Sequence, residues 1–155
     1  MKPAKFLAVI FTVIVFFACN KSVIYSEFYV VPEFVGWSKD SVFTFGFDVE
    51  DTVLTYELDF LVRNTDNFPN QNLWLEIVKE HDGKIFIDSV NVFLSDDYGR
   101  WRGKGIGSYY DSQLIYKQNV KFYKSGRYTY KIRHLMRVEQ LFGIKSFGLQ
   151  VCREK

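Results

Sequence analysis

Apolar and polar residues alternate with a period of two along most of this chain, which restricts it to extended structure. The clearest example is 43–49, where Phe43, Phe45, Phe47 and Val49 share one face of a strand. Four further segments repeat the alternation, at 54–62, 73–77, 128–132 and 147–151. We therefore predict β-strands with one face in a core and the other in water.

Turn residues divide these strands. Asp82-Gly83 lies between two β-rich runs, and an Asp-Gly pair in that position is a strong hairpin signal, so 85–94 should pair back antiparallel. A glycine-rich segment at 95–113 interrupts the pattern before 114–122 resumes it. Only 135–141 offers a plausible helical turn.

Short strands without long helices indicate an antiparallel sandwich or barrel, because parallel strands need long crossovers. We expect an all-β fold, an antiparallel β-sandwich of the immunoglobulin-like or jelly-roll kind. It should have seven to eight strands and form a single domain over 38–155. A chain of 155 residues with 19% aromatic residues can bury a core of that size.

The N-terminus has the pattern of a lipoprotein signal peptide. Residues 1–5 carry two lysines, and 6–18 are apolar except for Thr12. That run is shorter than the ~20 residues a membrane-spanning helix needs, but it suits a signal peptide. Ala18 followed by Cys19 provides the small residue and the thiol that a lipoprotein signal peptidase requires. An ordinary secretory signal and a retained hydrophobic anchor are the alternatives.

We therefore expect 1–18 to be removed and Cys19 to be the lipid attachment site. Its sulfur would form a thioether to diacylglycerol, and its new amino group would carry a further acyl chain such as palmitate, giving a stable anchor. Residues 19–37 would form a lipid-anchored tether leading into the domain. The membrane is thus the first predicted partner.

Removal of the signal peptide changes the charge balance of the chain. Lys2 and Lys5 are two of its 20 basic residues, so the mature chain keeps 18 basic residues against 18 acidic ones. No basic excess remains to attract phosphate, which argues against nucleic acid as a partner. Acylation of Cys19 would also leave Cys152 without a disulfide partner, and we expect that thiol to be buried in a strand.

Sites for catalysis, metals and cofactors are not apparent. The glycines of 103–107 lack the Ser or Thr and the helix of a phosphate-binding loop, so we expect them to permit positive φ or close strand approach. His81 and His134 have no partner at zinc spacing. A calcium site at Asp96, Asp97 and Asp111 is a weak alternative. We predict no metal, no cofactor and no enzymatic activity.

Rings and cations are concentrated around those glycines, and Trp, Tyr and Arg dominate interface energetics. The candidate partner-contact residues are Tyr98, Arg100, Trp101, Arg102, Tyr109 and Tyr110. Trp101 could instead plug the end of the sandwich, which is the more common fate of such a ring. A third possibility is a glycan-binding platform.

Several segments together resemble the gliding-motility lipoprotein GldH family of Bacteroidota. They are Gly36-Trp37, Phe45 with Asp48, Arg63-Asn64, Phe68-Pro69, Asn72-Leu73, Asp88, Gly99-Arg100-Trp101-Arg102-Gly103-Lys104-Gly105-Ile106-Gly107, Phe122, Gly126-Arg127-Tyr128, Met136-Arg137 and Leu141-Phe142-Gly143-Ile144.

The resemblance implies a non-enzymatic accessory lipoprotein of the cell envelope, linked to gliding motility and type IX protein secretion. Its partners would be envelope proteins of that machinery, and it offers no catalytic residues. In that phylum, acidic residues after the acylated cysteine favour surface export. Asn20-Lys21-Ser22-Val23 follows here, so we expect an outer-membrane anchor facing the periplasm.

Overall fold

The computed structural model of the protein describes residues 22–154, and within that range every regular element is a β-strand. The strands are β1 (Ser22–Val30), β2 (Trp37–Ser38), β3 (Phe43–Val49), β4 (Tyr56–Thr65), β5 (Asn72–His81), β6 (Lys84–Phe93), β7 (Lys104–Ile106), β8 (Tyr109–Val120), β9 (Gly126–His134), β10 (Gln140–Leu141) and β11 (Ile144–Arg153). The predicted all-β class is confirmed. In the same range, no helix has the length and apolar character needed to cross a membrane.

Two antiparallel sheets form the sandwich. The five-stranded sheet has the order β1-β11-β4-β8-β7, and the four-stranded sheet has the order β3-β9-β5-β6. A short pair, β10 with β2, makes a third, two-stranded sheet. The sandwich expectation is therefore confirmed.

The core lies between the two sheets and is rich in aromatic rings. Phe147 of β11 lies 5.3 Å from Phe60 of β4 and 6.2 Å from Phe45 of β3, measured between ring centroids. All three side chains are fully buried. Each buried phenylalanine contributes about 1.5–3 kcal/mol relative to an exposed one. Because β11 and β4 belong to one sheet and β3 to the other, the contact between Phe147 and Phe45 crosses the sandwich and helps to hold the two sheets together.

The β5–β6 hairpin forms where the Asp-Gly pair predicts it. His81 pairs with Lys84 across the turn, and Asp82 and Gly83 have φ values of 51° and 70°. Positive φ at both central residues is the signature of a type I′ turn, whose twist matches that of the flanking strands.

The strand count differs from the prediction: seven to eight strands were expected, and residues 22–154 contain eleven. The additional strands are β1, β2, β7 and β10, and three of these have only two or three residues. β1 was missed because it is apolar on both faces: Tyr29 packs on Phe43, while Phe28 is 65% exposed on the outer face. Most of the expected 19–37 tether is therefore an edge strand and the loop that follows it.

The helical turn expected at 135–141 is wrong. Leu135 donates its backbone N–H to the carbonyl of Trp74, and the sulfur of Met136 accepts the N–H of Trp74. These contacts hold Leu135 and Met136 against β5, and 137–139 form a bend. The last two residues of 135–141 belong to β10.

The strand register defines two ends of the sandwich. Ser22 pairs with Arg153, Arg153 with Tyr56, and Tyr56 with Val120, and we call this the proximal end. At the other end of β1, Val30 pairs with Ser146; we call this the distal end. The nine residues of β1, at about 3.3 Å per residue, separate the two ends by roughly 26 Å.

The predicted signal peptide at 1–18 and the predicted lipid attachment site Cys19 lie outside the described residues. Cys152, in contrast, is described: it is a free thiol on β11 and only 1% exposed. The expectation that this cysteine is buried in a strand is confirmed.

Candidate functional site

Asp96 organises the loop that carries three of the six predicted contact residues. Its carboxylate accepts the backbone N–H groups of Tyr98 and Arg100, each at 2.9 Å, and the Nε of Arg100 at 2.8 Å. These hydrogen bonds, that of the Arg100 N–H foremost, lower the pKa of Asp96. An isolated bridge between Ser95 and Trp101 closes the loop. The loop is therefore a defined structure at the distal end.

Trp101 packs against the core. Its ring lies 6.3 Å from that of Phe68 and 5.8 Å from that of Tyr110, and it is partly buried. Phe68 is 3% exposed and lies against Gly143. The side chain thus occupies the position expected of a plug at the end of the sandwich.

The glycines of 103–107 allow β7 to lie close to β8. A Cβ on Gly103 would lie 2.8 Å from the backbone carbonyl of Asp111, so only glycine lets β7 approach β8 this closely. Gly107 has a φ of 62° in the turn between these strands. The segment forms an antiparallel strand and a turn. These glycines therefore permit positive φ and close strand approach, as expected from the sequence.

The other predicted contact residues divide into two groups. Tyr98 is 86% exposed and Tyr109 44% exposed, whereas Tyr110 is half-buried beside Trp101. Arg100 is exposed and forms an ion pair with Asp96. The structure therefore brings all six residues to one end but presents only part of the set to solvent.

Arg102 leads from this loop to a cleft on the outer face of the five-stranded sheet. We call it the distal cleft; it has a volume of about 580 Å³. Residues of five neighbouring strands form its floor and walls, among them Phe28, Leu61, Arg63, Lys104, Asp111 and Ser146. The cleft is open and mixes apolar surface with charge.

An ion pair lies in this cleft. Arg63 donates to Asp111 through Nε at 2.6 Å and through a second guanidinium nitrogen at 2.8 Å. These hydrogen bonds from Arg63 lower the pKa of Asp111, so the carboxylate is charged at neutral pH. Such a bidentate pair can orient a polar ligand.

Two of the three carboxylates considered for calcium are engaged by arginines. Asp96 binds Arg100 and Asp111 binds Arg63. Within residues 22–154, no three His, Cys, Asp or Glu side chains are grouped so that they could hold a metal ion.

Sequence reasoning did not assign Arg63 or Phe28 to a site. Arg63 is 48 residues from Asp111 in the chain, and no spacing rule connects them. The available signal was that Arg63 alternates onto the polar face of β4. Arg63 and Asp111 come together because β4 pairs with β8, and the sequence did not reveal that pairing.

Comparison with known proteins places this sandwich in a family. The family model of the GldH lipoprotein matches residues 23–151, from the start of β1 almost to the end of β11. The chain belongs to the GldH lipoprotein family. Membership implies association with a membrane through a lipid anchor, and the family is described by its lipoprotein character, not as an enzyme family.

Two relatives align with nearly the whole chain. One is the gliding motility lipoprotein GldH homolog of Christiangramia forsetii, 34% identical over 150 residues, which cover 92% of this chain and 91% of the relative. Another is the gliding motility lipoprotein GldH of Flavobacterium johnsoniae, 31% identical over 146 residues and 89% of each chain.

Among solved structures, the VP2 subviral particle of infectious bursal disease virus matches 84% of this chain at 16% identity. The TM-score is 0.30, and the match spans 30% of the viral chain. A likeness this weak carries no argument about the fold or the function.

Proposed function

We propose that this protein is a non-enzymatic cell-envelope lipoprotein, an accessory or scaffold component linked to gliding motility and type IX protein secretion. The name of both relatives, gliding motility lipoprotein, supports the motility role. The link to secretion rests on the family resemblance. Cys19 carries the lipid, and the distal end of the sandwich contacts a partner protein of the envelope.

The opposite placement of the anchor and the contact loop is the observation that carries this proposal. Cys19 precedes Ser22 by three residues, which span at most about 11 Å when fully extended. Ser22 is at the proximal end and the Trp101 loop is at the distal end. Acylation of Cys19 would therefore hold the proximal end at the bilayer and display the loop roughly 26 Å further out.

The distal end has the chemistry of a contact surface. Tyr98 and Tyr109 expose rings, Arg102 and Lys104 add positive charge beside the cleft, and the packed Trp101 keeps the loop rigid. A preorganised surface loses little entropy on binding. The main charged pair in the cleft, Arg63 with Asp111, is an ion pair and not a nucleophile with its base, which supports a non-enzymatic role.

For location, we propose the outer membrane, with the sandwich facing the periplasm. The residues after the anchoring cysteine, Asn20-Lys21-Ser22-Val23, contain no acid. This is the feature that favours periplasmic retention over export to the surface.

Site-directed photocrosslinking in living cells tests the contact surface. A benzophenone amino acid replaces Tyr98, which is 86% exposed at the distal end, and in a matched strain it replaces Tyr123, which is 85% exposed at the proximal end. The Tyr98 position should capture motility or secretion proteins that the Tyr123 position does not. Capture of the same proteins at both positions, or of none at Tyr98, would contradict the proposal.

A glycan-binding lipoprotein is the second candidate, because the distal cleft combines the Arg63–Asp111 pair with the exposed ring of Phe28. The Trp101 ring, tilted against Phe68, does not offer the flat platform expected for a sugar. Titration with envelope and dietary glycans, followed by tryptophan fluorescence, tests this candidate. A flat signal for every sugar up to millimolar concentration would remove it.

A further inference from the structure

A second cavity lies at the proximal end, between the β5–β6 turn and the segment 121–125 that joins β8 to β9. We call it the proximal pocket; it has a volume of about 220 Å³. Four lysines line it, Lys79, Lys84, Lys121 and Lys124. Four cations around one small cavity are unexpected in a mature chain with balanced charges.

Most of these cations lack a counter-ion. Lys124 pairs with Asp82 at 2.7 Å, but no ion pair of Lys79, Lys84 or Lys121 exists within the described part of the chain. Asp82 is the one acidic residue among the described residues that line the pocket. Four lysines therefore face a single carboxylate, and the lining has an excess of positive charge.

Lys79 is placed at the back of the pocket by aromatic rings. Its Nζ lies 5.3 Å from the ring centroid of Phe122, 5.2 Å from that of Tyr128 and 5.9 Å from that of Phe86. Burial, and then the charge of Lys117, lowers the pKa of Lys79. A cation in this position gains from an anion more than a solvated lysine would.

His81 forms part of the wall of the proximal pocket. Its ring stacks on Tyr128 at 3.7 Å, and its Nδ1 hydrogen-bonds the carbonyl of Arg127 at 2.9 Å. Because the carbonyl of Arg127 can only accept, Nδ1 carries the hydrogen of the neutral ring. Nε2 is then an acceptor, and it is buried with no hydrogen-bond partner in the described residues.

The pocket is on the side of the molecule that the anchor brings to the bilayer. Val120, in register with Tyr56 and so with the Ser22 row, is followed directly by Lys121. Tyr123 in the same segment is 85% exposed, and Val53 in the neighbouring β3–β4 loop is 82% exposed. Exposed tyrosines and apolar residues beside lysines are typical of surfaces that lie among lipid headgroups.

We propose that the proximal pocket binds the phosphate of an anionic phospholipid headgroup, so that the sandwich docks on the bilayer that carries its anchor. This inference rests on the proposed acylation of Cys19. Lys79, Lys84 and Lys121 hold the phosphate oxygens, and Tyr123 and Val53 contact the headgroup region. The docked sandwich then stands with its distal cleft directed away from the membrane.

Lysine footprinting on the native lipoprotein tests the docking. The protein is reconstituted into vesicles of phosphatidylcholine alone or with about one-third phosphatidylglycerol, and a water-soluble acylating reagent labels its lysines. An anionic surface contributes about 1 kcal/mol per lysine, so labelling of Lys84 and Lys121 should slow about fivefold in the anionic vesicles. Lys104 at the distal end is the internal control and should not change. Equal labelling in both vesicles would overturn the proposal.

Matched variants locate the effect. In Lys84→Gln/Lys121→Gln, the protection of Lys79 by anionic vesicles should disappear, whereas in Lys39→Gln/Lys104→Gln it should remain. Protection that survives the first variant would assign the effect to a different surface. The four lysines that these variants replace are at least partly exposed, so both variants should fold normally.

Two further measurements separate the possible failures. Intact mass and flotation show whether Cys19 carries lipid; an unlipidated protein would overturn the proposed function, while a lipidated protein with unprotected lysines would overturn only the docking. Inorganic phosphate added to the detergent-solubilised protein tests for a soluble anion. Full protection of Lys79 by phosphate alone would assign the pocket to a soluble ligand and overturn the lipid assignment.

Discussion

His134 donates a hydrogen bond from Nε2 to the backbone carbonyl of Trp37, 3.0 Å away, and both residues are essentially unexposed. A carbonyl can only accept, so Nε2 carries the hydrogen. Nδ1 is buried with no hydrogen-bond partner, so a second proton there would have no acceptor. The contact joins the end of β9 to β2, and the burial of the ring favours the neutral imidazole.

Acid should therefore destabilise the protein through His134. Burial lowers the pKa of His134 below its ordinary 6.5, although the hydrogen bond to Trp37 acts in the opposite direction. The unfolded chain takes up the proton first, so this stability is complete above about pH 7 and is lost as the pH falls through 6.5. Below pH 6.5, the free energy of unfolding can fall by about 1.4 kcal/mol per pH unit, and we call this dependence the slope.

Urea unfolding between pH 7 and pH 5 measures this dependence. His134→Gln keeps a donor at the Nε2 position and cannot become charged, so it should remove the slope although it costs some stability. His81→Gln is the matched histidine variant and should retain the slope. An unchanged slope in His134→Gln would show that another group is responsible.

Gly143→Ala should be strongly destabilising. A Cβ there would lie 2.6 Å from the Cα of Phe68, and the residue has a φ of 89°. We expect the free energy of unfolding to fall by about 3 kcal/mol, from the steric overlap and the backbone strain combined. Gly107→Ala is the control, because Gly107 also has positive φ but nothing lies within 4 Å of its Cβ position. It should lose only about 1 kcal/mol. Equal losses by urea unfolding would show that the contact with Phe68 is unimportant.

Trp101→Ala should lower the free energy of unfolding by about 2 kcal/mol. Replacing a fully buried aromatic ring costs about 3–5 kcal/mol, and Trp101 is only partly buried. Tyr98→Ala should change stability by less than about 0.5 kcal/mol, as an exposed side chain does. Thermal unfolding of both variants compares the plug and the exposed residue. If Trp101→Ala unfolds like the wild type, the ring does not act as a plug.

Thiol counting tests the anchor and the core together. The sequence has two cysteines. With Cys19 acylated, the denatured native protein should react with one maleimide per chain, at Cys152. The folded protein should react slowly, because that thiol is 1% exposed. Two reactive thiols in the denatured protein would contradict acylation of Cys19.

The local sequence predicted strands correctly where one face of the strand is buried and the other is exposed to solvent. The alternation at Phe43, Phe45 and Phe47 predicted β3, and Asp82-Gly83 predicted the β5–β6 hairpin. It failed for β1, because an edge strand can expose Phe28 while Tyr29 packs inward, so both faces are apolar. It also failed at 135–141, where contacts with Trp74 override the local preference for a helical turn.

The candidate site was only partly predictable for a similar reason. The concentration of rings and cations around Trp101 is visible in the chain, but whether Trp101 faces the core or solvent depends on Phe68, which is 33 positions earlier in the sequence. The lysines of the proximal pocket are likewise separated in sequence and meet only through strand pairing.

The amino-acid sequence by itself determined that this protein is all-β, that its N-terminus has the pattern of a lipoprotein signal, and that it resembles the GldH lipoprotein family. These properties follow from local alternation, turn chemistry and short motifs. Only the tertiary structure decided that Ser22 and the Trp101 loop are at opposite ends, and that separate lysines surround one pocket. The reason is that strand order and register join residues far apart in the chain, and no local pattern encodes which strands become neighbours.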